Sequence, residues 1–81
     1  MRIAFTAHAH EQYTALPSPI QAKFDKQLRF LLADLRHPSL RAKKYDESRN
    51  LWQARVDRNY RFYFQVQGDT YTLLSIIPHP K

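Results

Sequence analysis

The sequence predicts a small α+β domain in which two N-terminal helices pack on one face of a mostly antiparallel sheet. Apolar residues recur at spacings of three and four in the first half of the chain, which is the period of one helical face. In the second half, apolar residues alternate with polar ones, which is the period of a strand buried on one side. The 81 residues contain a single glycine and are enough for one domain, so residues 1–81 are expected to fold together without a linker.

A short strand and two helices are predicted for the first half of the chain. Arg2–Thr6 has the composition of the strand, and a weakly patterned helix is expected over Ala7–Leu16. The second helix should begin with the segment Ser18–Gln21, which combines a capping serine, a proline at the first helical position and a glutamine at the third. Pro38 disfavours helical geometry at the residue before it, so this helix is expected to end near Arg36.

Antiparallel strands are predicted for the second half of the chain. Alternating apolar residues, or a richness in aromatic and β-branched residues, mark Leu51–Asp57, Tyr60–Val66 and Thr70–Ile77. The piece Arg41–Tyr45 is a candidate for a further short strand. Between the last two runs, the dipeptide Gly68-Asp69 is predicted to form a two-residue hairpin turn, with glycine where a positive φ is needed. A meander of strands therefore follows the helices.

The register of the first hairpin follows from the positions of its apolar residues. If the large apolar side chains face the helices, Val56 pairs with Tyr60 across a short loop, and Arg55 lies opposite Arg61 on the other face. Like charges directly opposite each other destabilise a sheet, so this pair predicts an anion between the two guanidinium groups. Arg58 lies in the loop at the same end, and the planar fork of arginine holds phosphate with two hydrogen bonds. The alternative is that the arginines are solvated or paired with a nearby carboxylate.

The distribution of charge also favours a polyanion as ligand. The chain has 13 Lys and Arg against 7 Asp and Glu, a net charge of +6, and eight of the basic residues fall between positions 36 and 61. Such an excess attracts nucleic acid, with RNA as the leading candidate, or an acidic protein partner. A basic surface that serves only solubility is the alternative.

The composition disfavours several classes of site and location. The chain has no cysteine, so a disulfide or a thiolate metal site cannot form, and its four histidines lack the company of other metal ligands. We therefore expect neither a metal nor a cofactor. No apolar run approaches the ~20 residues of a membrane span or the leader of a secreted protein, and the expected location is the cytoplasm.

His79 follows the last predicted strand and is a candidate for proton transfer. Regular pairing across the second hairpin brings position 79 to the level of Arg58, beside the arginine cluster. Imidazole is the side chain best able to exchange a proton near neutral pH, although a solvated histidine in a frayed tail is the alternative. Tyr63 is two residues after Arg61 on the same predicted strand and should be exposed on the same face. An aromatic ring in that place can stack on an unpaired base.

Five segments, taken in order, resemble those of the RelE/ParE toxin superfamily: His37–Arg41, Lys43–Lys44, Leu51–Val56, Asn59–Phe62 and Gly68–Tyr71. The resemblance covers the chain from about Arg36 to His79 and implies the βααβββ arrangement of RelE-like toxins. RelE-like members cleave mRNA in the ribosomal decoding site, whereas ParE-like members poison DNA gyrase. The resemblance thus implies the toxin of a type II toxin–antitoxin pair, with a cognate antitoxin as its partner.

For a RelE-like toxin, the resemblance implies cleavage without a metal, by attack of a ribose 2′-hydroxyl on the adjacent phosphate. Arg61 then matches a phosphate-stabilising arginine, Arg55 a basic residue on the preceding strand, and His79 a C-terminal residue used in acid–base work. Lys43 and Lys44 match the basic stretch that contacts RNA. The leading interpretation is a ribosome-dependent mRNA endonuclease. The alternatives are a non-catalytic inhibitor of gyrase and a module that only binds its antitoxin.

Overall fold

The α+β prediction is confirmed by the computed structural model, which describes residues 1–79. The elements, in chain order, are β1 (Arg2–Phe5), α1 (Ala7–Ala15), α2 (Ser18–Ala33), a 3₁₀ turn (Pro38–Leu40), β2 (Lys43–Asp46), β3 (Leu51–Arg55), β4 (Tyr60–Gln67) and β5 (Thr70–Pro78). Within these residues, the strands form one sheet in the order β1-β5-β4-β3-β2, in which the β1–β5 pair is parallel and the others are antiparallel. Each predicted helix and strand is present, although several ends differ.

The start of α2 differs from the predicted capping box. Ser18 is the first helical residue and Pro17 occupies the N-cap, so no side chain of residues 1–79 caps the start of this helix. The Nε2 of Gln21 instead donates a hydrogen bond of 2.8 Å to the carbonyl of Tyr13 in α1. The predicted capping box is therefore wrong, because its glutamine links the two helices instead of closing the start of its own.

The end of α2 lies at Ala33, earlier than the predicted end near Arg36. Asp34 has an extended backbone, with φ −165° and ψ 109°. Its Oδ1 accepts a hydrogen bond of 2.9 Å from the backbone N–H of Arg36. An aspartate side chain that binds the backbone two residues on competes with helical hydrogen bonding, which accounts for the early end.

The hydrophobic core lies between the helices and one face of the sheet. Phe24 and Leu31 of α2 are fully buried, as are Phe62 and Phe64 of β4. The rings of Phe24 and Phe62 meet edge to face, with their centroids 5.2 Å apart. Trp52 stacks on Phe64 and packs against this core. Because alternate residues of β4 are buried here, the intervening side chains lie on the opposite side, which we call the open face.

Gln27 is a buried polar residue in the otherwise apolar stripe of α2. Its Nε2 donates to the carbonyl oxygens of Ser39, at 2.9 Å, and Arg55, at 2.8 Å. Its Oε1 accepts a hydrogen bond of 2.9 Å from the Ser39 hydroxyl. One glutamine, only 4% exposed, therefore joins α2, the 3₁₀ turn and the end of β3. These three bonds satisfy polar groups that burial would otherwise leave without partners.

Both hairpins have the predicted turn register. Arg55 pairs with Arg61 in the β3–β4 ladder, and the N–H of Val56 donates to the carbonyl of Tyr60 at 3.1 Å. Gly68 has a φ of +60° at the tip of the β4–β5 hairpin, a conformation that glycine adopts without strain. The opposition of two like charges is thus a property of the fold.

The β4–β5 ladder contains a bulge that was not predicted. Phe64 pairs with Leu73, but the preceding residue, Tyr63, pairs with Ser75, so Leu74 is an extra residue in β5. An extra residue exchanges the two faces of a strand for every position that follows it. The side chains at the end of β5 therefore lie on the sides opposite to those of a regular ladder.

This exchange of faces determines where His79 lies. The odd-numbered Tyr71 is buried before the bulge, whereas the even-numbered Ile76 is buried after it. In a regular ladder, position 79 would lie level with Arg58 and share the buried face of Tyr71. Instead, the N–H of His79 donates to the carbonyl of Asn59 at 2.7 Å. The predicted pairing of position 79 was therefore wrong by one residue. The extra residue of the bulge places His79 on the open face.

Thr6, the N-cap of α1, and Gln12 within α1 form hydrogen bonds to the backbone around the bulge. Thr6 donates its N–H to the carbonyl of Leu73 at 3.0 Å and its hydroxyl to the carbonyl of Leu74 at 3.4 Å. The Oε1 of Gln12 accepts a hydrogen bond of 2.7 Å from the N–H of Ile76. Backbone groups around the bulge are therefore hydrogen-bonded to Thr6 and Gln12, which follow β1 in the chain.

We predict that Gln27→Leu lowers the free energy of unfolding by about 1–3 kcal/mol, because it leaves two partly buried carbonyls and a hydroxyl without their partner. Urea denaturation followed by circular dichroism measures the change. Arg29→Leu introduces the same side chain at an exposed position of the same helix and should change stability by less than about 0.5 kcal/mol. Equal stability of the Gln27 variant and the wild type would contradict the structural role of this glutamine.

Candidate functional site

A cleft on the open face of the sheet brings together most of the predicted site residues. Its volume is about 270 Å³. The polar residues that line it are Arg41, Lys43, Gln53, Arg55, Arg61 and His79. None of the lining residues, all within the described part of the chain, is acidic. The cleft is therefore a concentrated positive site, and we refer to it as the arginine cleft.

Arg61 is held in the arginine cleft by backbone oxygens. Its Nη1 donates to the carbonyl of Asp57 at 2.7 Å and to that of Tyr60 at 3.0 Å. Partial burial lowers the pKa of Arg61 below its usual value, and the neighbouring charge of Arg55 lowers it further. The guanidinium nevertheless stays charged, as arginine does in proteins. The fold thus holds cations together against their repulsion, and an anion in the cleft would relieve that repulsion.

Neither Arg55 nor Arg61 forms an ion pair with a carboxylate of residues 1–79. Asp57 uses its carboxylate to accept the backbone N–H groups of Asn59 and Tyr60, and it pairs with Lys23 at 3.4 Å. Burial raises the pKa of the Asp57 carboxyl, but these hydrogen bonds outweigh it, so the pKa lies below its usual value. Asp57 therefore shapes the loop without neutralising the cleft by a salt bridge.

Arg55 carries an unused hydrogen-bond donor. Its Nε is buried and has no partner among residues 1–79, whereas its carbonyl oxygen is held by Gln27. A buried donor without a partner destabilises the fold by an amount that a bound acceptor would offset. The unpaired Nε is therefore a second indication of an anion site.

His79 lines the arginine cleft together with Arg61. Its side chain is exposed, and its backbone N–H is bound to the carbonyl of Asn59. The residue is therefore fixed to the end of the sheet, which disagrees with the alternative of a frayed tail. An exposed imidazole in such a place can exchange protons with both solvent and a bound ligand.

The two lysines of β2 point to opposite sides of the sheet. Lys43 pairs with Gln53 and lines the arginine cleft. Lys44 lies over the ring of Trp52, with its Nζ 5.6 Å from the ring centroid, and pairs with Glu47 at 3.4 Å. Neighbouring residues of a strand face opposite sides, so the cleft receives the first of these lysines and not the second.

Arg58 lies outside the arginine cleft, in the exposed loop between β3 and β4. It lines a broader neighbouring groove together with Lys23 of α2. Arg41 and Arg55 line both the groove and the cleft, so the two depressions are contiguous. The positive surface therefore extends from the cleft toward α2.

Tyr63 lies on the open face, as predicted, but is half-buried there. Its hydroxyl accepts a hydrogen bond of 2.7 Å from the Nε2 of Gln53, and its ring packs edge to face against that of Tyr45. Gln53 lines the arginine cleft, whereas neither tyrosine does. The aromatic pair therefore adjoins the cleft without forming its wall.

Arg41 is a cleft residue that the sequence pattern does not single out. It follows the 3₁₀ turn with φ 46° and ψ 42°, a left-handed conformation that few residues other than glycine adopt. Its charge also contributes to the lowered pKa of Arg61. In the sequence, Arg41 belongs to the basic stretch between positions 36 and 61 and ends the superfamily-like segment His37–Arg41, but neither pattern assigns it to the site.

Residues 1–79 contain neither a cluster of metal ligands nor a membrane-spanning helix. No group of three His, Cys, Asp or Glu side chains there could hold a metal ion. None of the helices in this part of the chain is long and apolar enough to cross a membrane.

Solved structures of toxins share this fold. The YoeB/ParE toxin from Agrobacterium tumefaciens matches with a TM-score of 0.82 at 14% identity, covering 99% of this chain and 100% of that one. The archaeal RelE–RelB complex from Pyrococcus horikoshii OT3 matches with a TM-score of 0.80 at 17% identity, with coverage of 95% and 92%. For the intact E. coli RelBE toxin–antitoxin complex, the TM-score is 0.76 at 17% identity, with coverage of 98% and 96%. At these identities the likeness establishes the fold.

Comparison by sequence establishes the family. No curated protein matches the chain. The family model described as "ParE toxin of type II toxin-antitoxin system, parDE" matches residues 3–80, which is nearly the whole sequence. This range includes both helices, the sheet and every residue of the arginine cleft. The protein therefore belongs to the ParE toxin family of type II toxin–antitoxin systems, within the superfamily that its sequence resembles.

Proposed function

We propose that this toxin is an endoribonuclease that cleaves mRNA on the ribosome without a metal ion. The observation that carries the proposal is the presence of an imidazole in a cleft lined by three arginines and a lysine. Cleavage of RNA needs cations and a group that exchanges protons at the same phosphate. A toxin that acts only by binding another protein has no need of a group that exchanges protons.

The proposed reaction is a transesterification within the RNA strand. The ribose 2′-oxygen attacks the adjacent phosphorus, and the bond from that phosphorus to the 5′-oxygen of the next nucleotide breaks. The products are a 2′,3′-cyclic phosphate and a 5′-hydroxyl. One proton leaves the attacking hydroxyl, one joins the leaving oxygen, and negative charge gathers on the phosphorane oxygens.

The arginine cleft holds a candidate group for each of these needs. Arg55 and Arg61 present guanidinium groups that can bind phosphate oxygens and stabilise the charge of the transition state. Backbone carbonyls already hold Arg61, so little reorganisation is needed when the charge develops. As a neutral imidazole, His79 accepts the proton of the 2′-hydroxyl, and Lys43 is the ammonium group available to the leaving oxygen.

The surfaces beside the cleft support binding to more than one nucleotide. Arg58 lines the groove that continues from the cleft, where it can neutralise a further backbone phosphate, whereas Lys23 in the same groove is paired with Asp57. Tyr63 adjoins the cleft on the open face. Lys44 faces the other side of the sheet, so it does not contribute to the phosphate site in the cleft. RNA binding is accordingly expected to weaken steeply as salt is added.

An antitoxin is the proposed protein partner. Two of the matching structures are complexes of a toxin with its antitoxin. The net charge of +6 favours a partner with acidic segments. A partner that binds only the folded toxin also stabilises it by mass action. An antitoxin and the ribosome as partners both agree with activity in the cytoplasm.

Inhibition of DNA gyrase is the second candidate function, and the match to the ParE family model favours it. ParE-like members of the superfamily poison gyrase, and this action needs no proton exchange at His79. Supercoiling assays with purified gyrase, run beside cleavage assays on mRNA-programmed ribosomes, separate the two functions. The endoribonuclease proposal expects cut mRNA and normal supercoiling, whereas the opposite result would support the gyrase function.

We predict that Arg61→Ala slows mRNA cleavage on programmed ribosomes by at least about 100-fold, the usual effect of removing one donor to a developing oxyanion. Arg29→Ala removes an equal charge from an exposed position of α2 and should leave the rate unchanged. Thermal melts of both variants establish that they are folded. Full activity in a folded Arg61→Ala protein would contradict the phosphate-binding role of the arginine cleft.

We predict that His79→Gln slows single-turnover cleavage by about 100-fold or more, the usual contribution of general acid–base catalysis. Ribosome affinity should hardly change, because glutamine is also a polar side chain and the backbone bond to Asn59 is kept. His8→Gln, at an exposed position of α1, is the control. If the His79 variant cleaved at the wild-type rate, proton transfer by this residue would be excluded.

A further inference from the structure

Tyr45 and Tyr63 form an aromatic pair next to the arginine cleft. Their ring centroids are 5.5 Å apart and their planes meet at 79°. Gln53 connects the pair to the cleft, since it lines the cleft and donates its Nε2 to the Tyr63 hydroxyl at 2.7 Å. The Tyr63 ring is thereby fixed, and it supports the Tyr45 ring in turn.

The Tyr45 ring is presented to solvent. It is 62% exposed, more than any other large hydrophobic residue that the structure describes. Lys44 pairs with Trp52 and Asp46 with Leu51, so Tyr45 is the extra residue of a bulge in β2. Bulges re-aim side chains and are common beside functional sites. The position thus combines an exposed aromatic ring, a rigid support and a neighbouring cluster of cations.

We propose that Tyr45 stacks on an unpaired base of an RNA strand whose phosphate lies in the arginine cleft. This binding mode rests on the proposed function, in that it takes RNA as the ligand. Tyr63 and Arg61 are two residues apart on one face of β4, a separation of about 7 Å along the strand. A single nucleotide, which carries its base and its phosphate on one ribose, can therefore reach both the aromatic pair and the cleft.

Stacking on Tyr45 gives the site a preference for single-stranded RNA, which its arginines alone do not provide. Guanidinium groups bind the phosphates of duplexes and single strands alike, whereas a base can stack on a side chain only after it leaves its own helix. Every base has a π face, so the preference concerns single-stranded RNA and tolerates any sequence. Because Tyr63 already supports the ring, little side-chain freedom is lost when a base binds.

Fluorescence anisotropy with two non-cleavable probes tests this inference. One probe is a short single-stranded 2′-O-methyl RNA, whose blocked 2′-oxygen cannot attack, and the other has the same backbone with abasic sites in place of the bases. Tyr45→Ser should weaken binding of the first probe by roughly tenfold, the scale of base–aromatic stacking, and Tyr45→Phe should bind it like the wild type. All three proteins should bind the abasic probe equally.

Two results would overturn the inference: equal affinity of Tyr45→Ser and the wild type for the probe with bases, or equal weakening for both probes. Tyr45→Leu keeps apolar bulk against Tyr63 without a π face. It should behave like the serine variant, and it provides the same test if that variant does not fold. Failure of the proposed function gives a different pattern, in which neither probe binds the wild-type protein, and this overturns both proposals.

Discussion

Burial of Ala54 and Phe62 on one face of the β3–β4 hairpin forces Arg55 and Arg61 to face each other on the other. The core prevails over the repulsion, because one fully buried large side chain contributes about 1.5–3 kcal/mol, whereas a cross-strand pair is worth at most about 1 kcal/mol. The other groups of the site depend on this pair. Backbone carbonyls hold one guanidinium, and Gln27 holds the end of the strand that carries the other. The fold therefore maintains a site for an anion before any anion is bound.

The period of apolar residues is a local property of the sequence, so it predicts the helices, the strands and the register of the first hairpin. It does not predict the bulge in β5, because the choice between a regular and a bulged ladder depends on contacts with α1. One sign is present in the sequence: Leu73 and Leu74 interrupt the alternation, and Ser75 stands where a regular strand would bury its side chain. A contact between helices likewise overrides the local capping motif, since Gln21 binds the carbonyl of Tyr13.

The difference between local sequence patterns and contacts of distant segments also explains how much of the site could be predicted. The alternation of side chains along a strand places Arg55 and Arg61 on the same face. The same alternation separates Lys44 from the cleft, since neighbouring residues of a strand cannot share a face. Arg41 depends on a left-handed turn whose direction no side-chain pattern encodes. His79 reaches the cleft because of the bulge that α1 holds. The basic residues and the histidine can thus be identified in the sequence, whereas contacts between distant segments decide which of these groups lie together.

Strand β2 lies at an edge of the sheet, where its unpaired backbone groups could be joined by a strand of another molecule. Natural sheets discourage such pairing with lysines and bulges at their edges, and β2 has both, in Lys43, Lys44 and the extra residue Tyr45. The residues that suit this strand to a polyanion are therefore also of the kind that disfavours edge-to-edge pairing. Removal of both lysines would consequently promote aggregation as well as weaken binding, so solubility and charge are coupled at this edge.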